Sequence, residues 1–339
     1  ACDSSRAVVG EFAKLESRID PSAEGIRAEG YRLQIDRRKI LLTAIDSAGL
    51  FYGKQTLRQL ATAQGIPCVE VLDNPRFAYR GMHLDVSRHF FPKEQIFKIL
   101  DEMAYYKLNK FHFHLCDNGG WRIQIDKYPL LTKLGSHRME IEWLKWWDFG
   151  DKHYVPEDTP GAYGGYYTKE DIRQIVSYAA GRHIDVIPEI EFPAHSDEVF
   201  VGYPEFCCTG RPYTTGEFCV GNPATLRFAE DVLTEIMELF PSKYIHIGGD
   251  EARKVAWKSC PKCQHLAREV GGFEEVQCYM IEHLELFLAE HGRVMMGWDE
   301  ILKNSLRSSS VPISYRGQRG GIEGANRGLN VIMSPGEMI

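Results

Sequence analysis

The apolar and polar positions of this chain fall into two successive textures, which change near Phe77. Before it, Val8, Val9, Phe12, Leu15 and Ile19 recur at near-helical spacing, and Asp20-Pro21 ends the run, so a helix is expected there. Tyr31-Arg32-Leu33-Gln34-Ile35 alternates, and Ile40-Leu41-Leu42 does so more loosely. With a turn over 36–39 they predict a hairpin. An amphipathic helix over 49–60 and a strand over 69–72 complete a small α+β domain, residues 1–76. Asp73-Asn74-Pro75 supplies turn chemistry at its boundary.

Beyond Phe77, short apolar runs alternate with longer helical patterns, as in βαβ units with a parallel sheet. Strands are predicted over 81–86, 110–115, 183–190, 244–249, 294–298, 312–315 and 330–333. Helices are predicted over 93–106, 224–239 and 273–291, and Thr168-Lys169-Glu170-Asp171 opens another with a capping-box pattern. A long stretch, 117–167, is rich in Trp, Tyr, Gly and Pro. Connections of that length inside a domain are usually functional. The expected fold is α/β: a (β/α)8 TIM barrel over 77–339 without its eighth strand in this chain, preceded by the small α+β domain. In such barrels chemistry sits on the loops at the C-terminal strand ends.

Composition narrows the partners. A net charge of −7 with both signs interspersed leaves no basic patch, which argues against nucleic acid. No apolar run is long enough to cross a bilayer. The chain starts at Ala1 rather than Met, as after removal of an export signal, and Ala1-Cys2-Asp3 is compatible with a lipoprotein cleavage site. Of the nine cysteines, Cys207, Cys208, Cys219, Cys260 and Cys263 flank the fourth barrel strand. Cys260-Pro-Lys-Cys263 has the spacing of a zinc knuckle or a redox pair. Three readings stay open: structural disulfides, a structural zinc with four cysteine ligands, or reduced thiols.

The candidate chemistry lies at the strand ends. Strand one runs into Asp85, Ser87 and Arg88; strand two carries His112 and His114 and ends at Asp117. Strand three runs through Glu189 and Glu191 to His195. Strand four turns at Gly248-Gly249 into Asp250-Glu251, strand five ends at Trp298-Asp299-Glu300, and strand six at Tyr315-Arg316. Carboxylates, a His, an Arg and aromatics on one rim suit a sugar, because aromatic rings stack on pyranose faces and a carboxylic acid protonates a glycosidic oxygen. Each has a plainer reading beside it. His112 and His114 fit hydrogen-bonded interior histidines better than ligands. Trp143, Trp146 and Trp147 fit a loop core as well as a sugar platform, and Arg88 fits a surface ion pair. No His-Glu-x-x-His spacing occurs, so no cofactor and no catalytic metal are expected.

Several of these stretches resemble the family 20 glycoside hydrolases, the β-N-acetylhexosaminidases. They are residues 79–91, Lys110-Phe111-His112-Phe113-His114-Leu115-Cys116-Asp117 with Gly120-Trp121-Arg122, Pro188-Glu189-Ile190-Glu191-Phe192-Pro193-Ala194-His195, and His246-Ile247-Gly248-Gly249-Asp250-Glu251. They occur in the family's order, and residues 31–60 resemble the small domain before its barrel. Cys-Pro-Lys-Cys and the loop texture are similar to homologues of the Bacteroides kind, which implies an exported bacterial protein, periplasmic, outer-surface or extracellular.

The resemblance implies retaining hydrolysis of terminal β-linked GlcNAc or GalNAc, on glycans or chitooligosaccharides, with the substrate's acetamido oxygen as nucleophile. It makes Glu251 the acid and then the base, and Asp250 the group that orients the acetamido and stabilises an oxazolinium ion. An ionised Asp250 beside Glu251 is expected to help keep Glu251 protonated. The resemblance gives Arg88 the sugar hydroxyls, Asp117 and His195 a supporting pair near the acid, and Trp298 one wall of the acetamido pocket. Tyr315 stands where a pocket Trp is usual, and Cys116-Asp117-Asn118-Gly119-Gly120-Trp121 replaces Ser-Asp-Asp-Gln-Gly-Trp. The family's Tyr-x-Asp and Trp-x-Glu, after strand seven and in strand eight, lie outside this chain. The rival is a carbohydrate-binding protein without catalysis on the same scaffold.

Overall fold

A computed structural model describes residues 14–334, apart from 64 and 151. The chain falls into two units. One comprises residues 1–82, 96–111 and 177–185; the other comprises 83–95, 112–176 and 186–339.

The small N-terminal sheet has four strands in the order Lys14–Ile19, Lys39–Ala44, Tyr31–Ile35, Val69–Asp73. The hairpin forms where alternation predicts it, and the Asp36 carboxylate closes its turn by accepting from the amides of Arg38 and Lys39 at 2.7 and 2.9 Å. One face buries Leu33, Ile35, Ile40 and Leu42 against helix Ser47–Leu60, whose first turn is capped by Asp46 accepting from the Gly49 amide at 2.7 Å. The expected N-terminal helix is corrected in its described part: Lys14–Ile19 is a strand parallel to Lys39–Ala44. Leu15 and Ile19 are four apart, a spacing that suits either period, and the alternation of Lys14, Glu16 and Arg18 with Leu15, Ser17 and Ile19 is the strand pattern. Val8, Val9, Phe12 and Ala1-Cys2-Asp3 lie outside the described residues.

The second sheet has seven strands: Gly81–Asp85, Lys110–His114, Asp185–Phe192, Tyr244–Gly248, Val294–Trp298, Val311–Ser314 and Ile332–Met333. They lie side by side in chain order, and the pairs from the third strand onward are parallel. That is the strand succession of a βα barrel, with helices such as Lys93–Tyr105, Lys169–Ala180, Pro223–Leu239 and Phe273–Glu290 between strands. The capping box is realised: Thr168 Oγ1 accepts from the Asp171 amide at 3.1 Å, and the Asp171 carboxylate accepts from the Thr168 amide at 3.0 Å.

The third strand starts two residues later than predicted, because His183, at φ 58°, still belongs to the turn after its helix. It also carries a register shift: Glu189 pairs with His246 but Phe192 with Gly248. This bulge puts three residues against two, and Glu189 and Glu191, two apart on a strand buried along nearly its whole length, are both buried. The stretch over 117–167 is pinned from within. The buried Arg122 guanidinium donates to the carbonyls of Val86, Ser87, Gly119 and Gly165, and buried Arg138 donates to those of Gly119 and Arg88. Backbone carbonyls that would otherwise be buried without donors are thereby satisfied.

Candidate functional site

The site lies in the second unit, at the C-terminal strand ends. The fourth strand leaves through Gly248 at φ 70° and Gly249 at φ 95°, and Glu251 itself sits at φ 49°. Position 248 favours glycine: its φ is left-handed, and a Cβ there would fall 1.8 Å from Glu191 Oε2, which would have to move. The turn is held by the Gly249 amide donating to the Phe192 carbonyl at 2.9 Å, and by Gln277 Nε2 donating to the Gly249 carbonyl at 2.8 Å. Asp250 is thereby buried, whereas the Glu251 side chain stays 58% exposed.

A chain of ionic contacts runs across four loops. Arg88 reaches Asp85 at 2.7 Å and Asp117 at 2.6 Å. Asp117 Oδ1 lies 3.5 Å from His195 Nδ1, and His195 Nε2 lies 3.5 Å from carboxylate oxygens of both Asp250 and Glu251. Burial disfavours a charge on His195, but Asp117, Asp250 and Glu251 outweigh it and raise the imidazole to about 11. It is therefore a cation at neutral pH. Burial pushes the Asp117 carboxyl up against the opposing pull of Arg88 and His195. At Asp85, burial is outweighed by His114 and Arg88, and the carboxyl falls to about 2.

Glu251 differs from expectation. The His195 hydrogen bond, with Arg88 and Arg253 behind it, lowers its pKa despite partial burial. In the free site the cation across the turn, rather than the adjacent Asp250, decides its poise.

Beneath this chain lies a buried layer. Glu189 takes His112 Nε2 at 2.8 Å and His246 Nδ1 at 2.9 Å, with His83 at 3.5 Å and His114 at 3.7 Å. His112 and His114 are thus interior histidines. Burial drives His112 down to about 3, so it is neutral. Glu191 lies 3.2 Å from His114, and burial together with Asp250 and Glu189 pushes its carboxyl well up.

Trp298 packs edge-on to His246 at 4.9 Å and to Tyr315 at 5.3 Å. This aromatic pair connects to the acid through Glu300, which sequence reading noted at a strand end without giving it a role. Glu300 Oε1 accepts from the Glu251 amide at 3.2 Å and from the Tyr315 hydroxyl at 3.3 Å. Asn118 was also missed; its Nδ2 stands 3.3 Å from His195 Nδ1. Only its place beside Asp117 could have marked it.

A cleft of about 860 Å³ opens in front of Arg88, His195 and Glu251. Trp143 and Trp147, stacked at 5.1 Å and 15°, form part of its wall, and the Arg88 guanidinium lies 5.7 Å from the Trp143 ring. Trp146 is buried, its indole donating to the His153 carbonyl at 3.3 Å. The three tryptophans therefore divide between cleft wall and core. Asp250, Trp298 and Tyr315 do not line this cleft. Among the described residues no helix is long and apolar enough to cross a membrane.

Comparison with known proteins shows the family. The model for "Glycosyl hydrolase family 20, catalytic domain" matches residues 77–339, and that for "Glycosyl hydrolase family 20, domain 2" matches residues 5–74. A beta-hexosaminidase of Porphyromonas gingivalis is 41% identical over 98% of this chain and 45% of its own length. One of Vibrio furnissii is 36% identical over 96% of this chain and 54% of its own. The chain thus spans about half the length of these relatives. Among solved structures, a family 20 exo-β-N-acetylglucosaminidase of Vibrio harveyi in complex with N-acetylglucosamine superposes with a TM-score of 0.84 at 31% identity, covering 96% of this chain and 52% of that one. A β-N-acetylhexosaminidase of Bacteroides fragilis gives 0.81 at 31% identity, covering 94% and 63%. The chain belongs to glycoside hydrolase family 20.

Proposed function

We propose that this chain carries the acid–base machinery of an exo-acting β-N-acetylhexosaminidase that removes terminal β-linked GlcNAc or GalNAc with retention of configuration. The observation that carries the reading is Asp250. Its Oδ1 is buried and, among the described residues, has no hydrogen-bond partner, one residue from a carboxyl that faces an open cleft. An unpaired buried carboxylate oxygen costs free energy until a donor arrives, and the N–H of a 2-acetamido group is such a donor.

In the family to which the chain belongs, the nucleophile is the substrate's own acetamido oxygen, and two adjacent carboxyl groups on one turn, both within reach of His195, fit that division of labour. Glu251 gives its proton to the glycosidic oxygen as the C1–O bond breaks and the acetamido oxygen closes on C1. Asp250 takes the N–H and faces the positive charge of the oxazolinium ring. Glu251, now ionised, removes a proton from water, whose oxygen attacks C1 and reopens the ring. Arg88, fixed by Asp85 and Asp117, presents its guanidinium to sugar hydroxyls. Trp298 and Tyr315 supply apolar contact for the acetamido group, and Glu300 sets the Glu251 backbone. A sugar filling the cleft displaces water from the half-exposed Glu251, and this desolvation favours the protonated form that the first step requires.

The test is turnover of a chromogenic β-GlcNAc glycoside. Glu251→Gln is expected to lose about 10²- to 10⁴-fold in rate, and Asp250→Asn to fall severely as well. A Glu251→Gln protein as active as its parent overturns the assignment. Binding of the sugar with no turnover in the parent overturns catalysis by this chain.

A further inference from the structure

The catalytic reading makes no use of four cysteines in the segments that follow the third and fourth barrel strands. Cys208 and Cys219 lie in the segment after the third barrel strand; Cys260 and Cys263 lie at and just inside the start of helix Pro261–Val270. The four Sγ atoms all lie within 4.8 Å of one another. The Cys219–Cys260 separation is 3.6 Å, and Cys219–Cys263 and Cys208–Cys263 are both 3.7 Å. Thiolates at about 2.3 Å from a tetrahedral zinc stand roughly 3.8 Å apart. Cys219 and Cys263 each have two sulfur neighbours at these distances, which is the arrangement of a four-ligand cage rather than of two separate pairs. Three of the four residues are buried.

Two further features surround the cage. The Gly221 amide donates to Cys263 Sγ at 3.4 Å, the kind of outer hydrogen bond that orients a thiolate ligand. Position 221 also admits only glycine at this approach, since a Cβ would meet the Lys262 carbonyl carbon and oxygen at 2.4 Å. The two cysteine-bearing segments are therefore drawn together at backbone level as well as at sulfur.

We propose that Cys208, Cys219, Cys260 and Cys263 bind one zinc ion as a closed, structural tetrathiolate site. Zinc enters as the divalent ion, the thiols that coordinate release their protons to solvent, and no oxidant or reductant takes part. The site fastens the segment that brings Thr214, Thr215 and Gly216 to the cleft onto the segment that runs on from Glu251 through Arg253 and Ala256. The same junction is reinforced by the Lys254 amide donating to Glu217 at 2.7 Å and the Trp257 indole donating to the Phe218 carbonyl at 2.8 Å. Zinc is thus a clamp for one wall of the cleft, held by residues outside the acid–base pair.

Metal analysis of the purified, unaltered chain decides the matter. About one zinc per chain is expected, released in step with the titration of the thiols. Cobalt substitution is expected to give the intense visible bands of a tetrahedral tetrathiolate. Cys263→Ser and Cys208→Ser are expected to lose most of the zinc and to unfold at lower temperature. Cys207→Ser removes a thiol adjacent in sequence that lies outside the cage, and should keep one zinc. Iron in place of zinc, disulfides detected by mass spectrometry, or a folded chain that takes up neither zinc nor cobalt would each overturn the proposal. Because these readouts use the unaltered protein, a variant that fails to fold does not blur them.

Discussion

Arg88→Met tests the electrostatics of the site most directly. The Arg88 side chain is 30% exposed, whereas its partner Asp117 is 1% exposed and lies 2.6 Å away. Removing one member of a buried pair costs about 3–5 kcal/mol, because the charge left behind is neither hydrated nor paired. Two imidazoles remain near Asp117, His195 at 3.5 Å and His114 at 3.6 Å, so the lower end applies, about 3 kcal/mol. At about 2–4 °C per kcal/mol for a domain of this size, the midpoint should fall by roughly 6–12 °C. The companion Arg88→Met/Asp117→Asn removes the orphaned charge. It is expected to recover more than about 1 kcal/mol relative to Arg88→Met alone, a coupling of the size seen for contacting residues. Denaturant unfolding of the four proteins measures both quantities. In activity, loss of a charged hydrogen bond to a sugar hydroxyl, about 1.5–3 kcal/mol, predicts roughly 10- to 100-fold lower kcat/KM. If Arg88→Met unfolds within about 0.5 kcal/mol of its parent, or the double variant is simply additive, Asp117 is hydrated in practice and the reasoning fails.

Three other outcomes follow from the same geometry. His195 lowers the Glu251 pKa, so His195→Asn should let Glu251 hold its proton to higher pH and move the alkaline limb of the kcat/KM profile upward; an unmoved or acid-shifted limb refutes this. The sign for stability is opposite in form: His195 is raised from an ordinary 6.5 to about 11, so its contribution is complete below about 6.5 and is lost as pH rises toward 11, a decline that His195→Asn should flatten in thermal scans from neutral to alkaline pH. Gly248→Ala combines a φ of 70° with a Cβ 1.8 Å from Glu191 Oε2, and should cost about 3 kcal/mol or more in denaturant unfolding, since left-handed strain alone accounts for about 1–2. A Gly248→Ala protein as stable as its parent would mean that Glu191 moves aside freely.

What the sequence by itself determined was everything set by short-range period. Alternation marked the 31–44 hairpin, apolar runs marked the seven barrel strands to within about two residues, and polar residues at their ends marked the rim. Arg88, Asp117, His195, Asp250 and Glu251 were all found there, and the structure joins them in one line of contacts. The tertiary structure decided what depends on register and on partners distant in the chain. Leu15 and Ile19 fit either period, and pairing with Lys39–Ala44 made them a strand. Three tryptophans within five residues read alike until one of them, Trp146, was buried and the other two faced the cleft. Glu300 gained its place because a 3₁₀ turn after the fifth strand carries it to the Glu251 amide, 49 residues away in sequence. The four cysteines span 55 residues, and no local rule distinguishes two disulfides from a metal cage. Only the meeting of two segments at Gly221 brings the four sulfurs within 4.8 Å of one another. Residues adjacent in the chain share a backbone geometry that the sequence prescribes, whereas distant residues meet only where packing of the whole sheet brings their loops together.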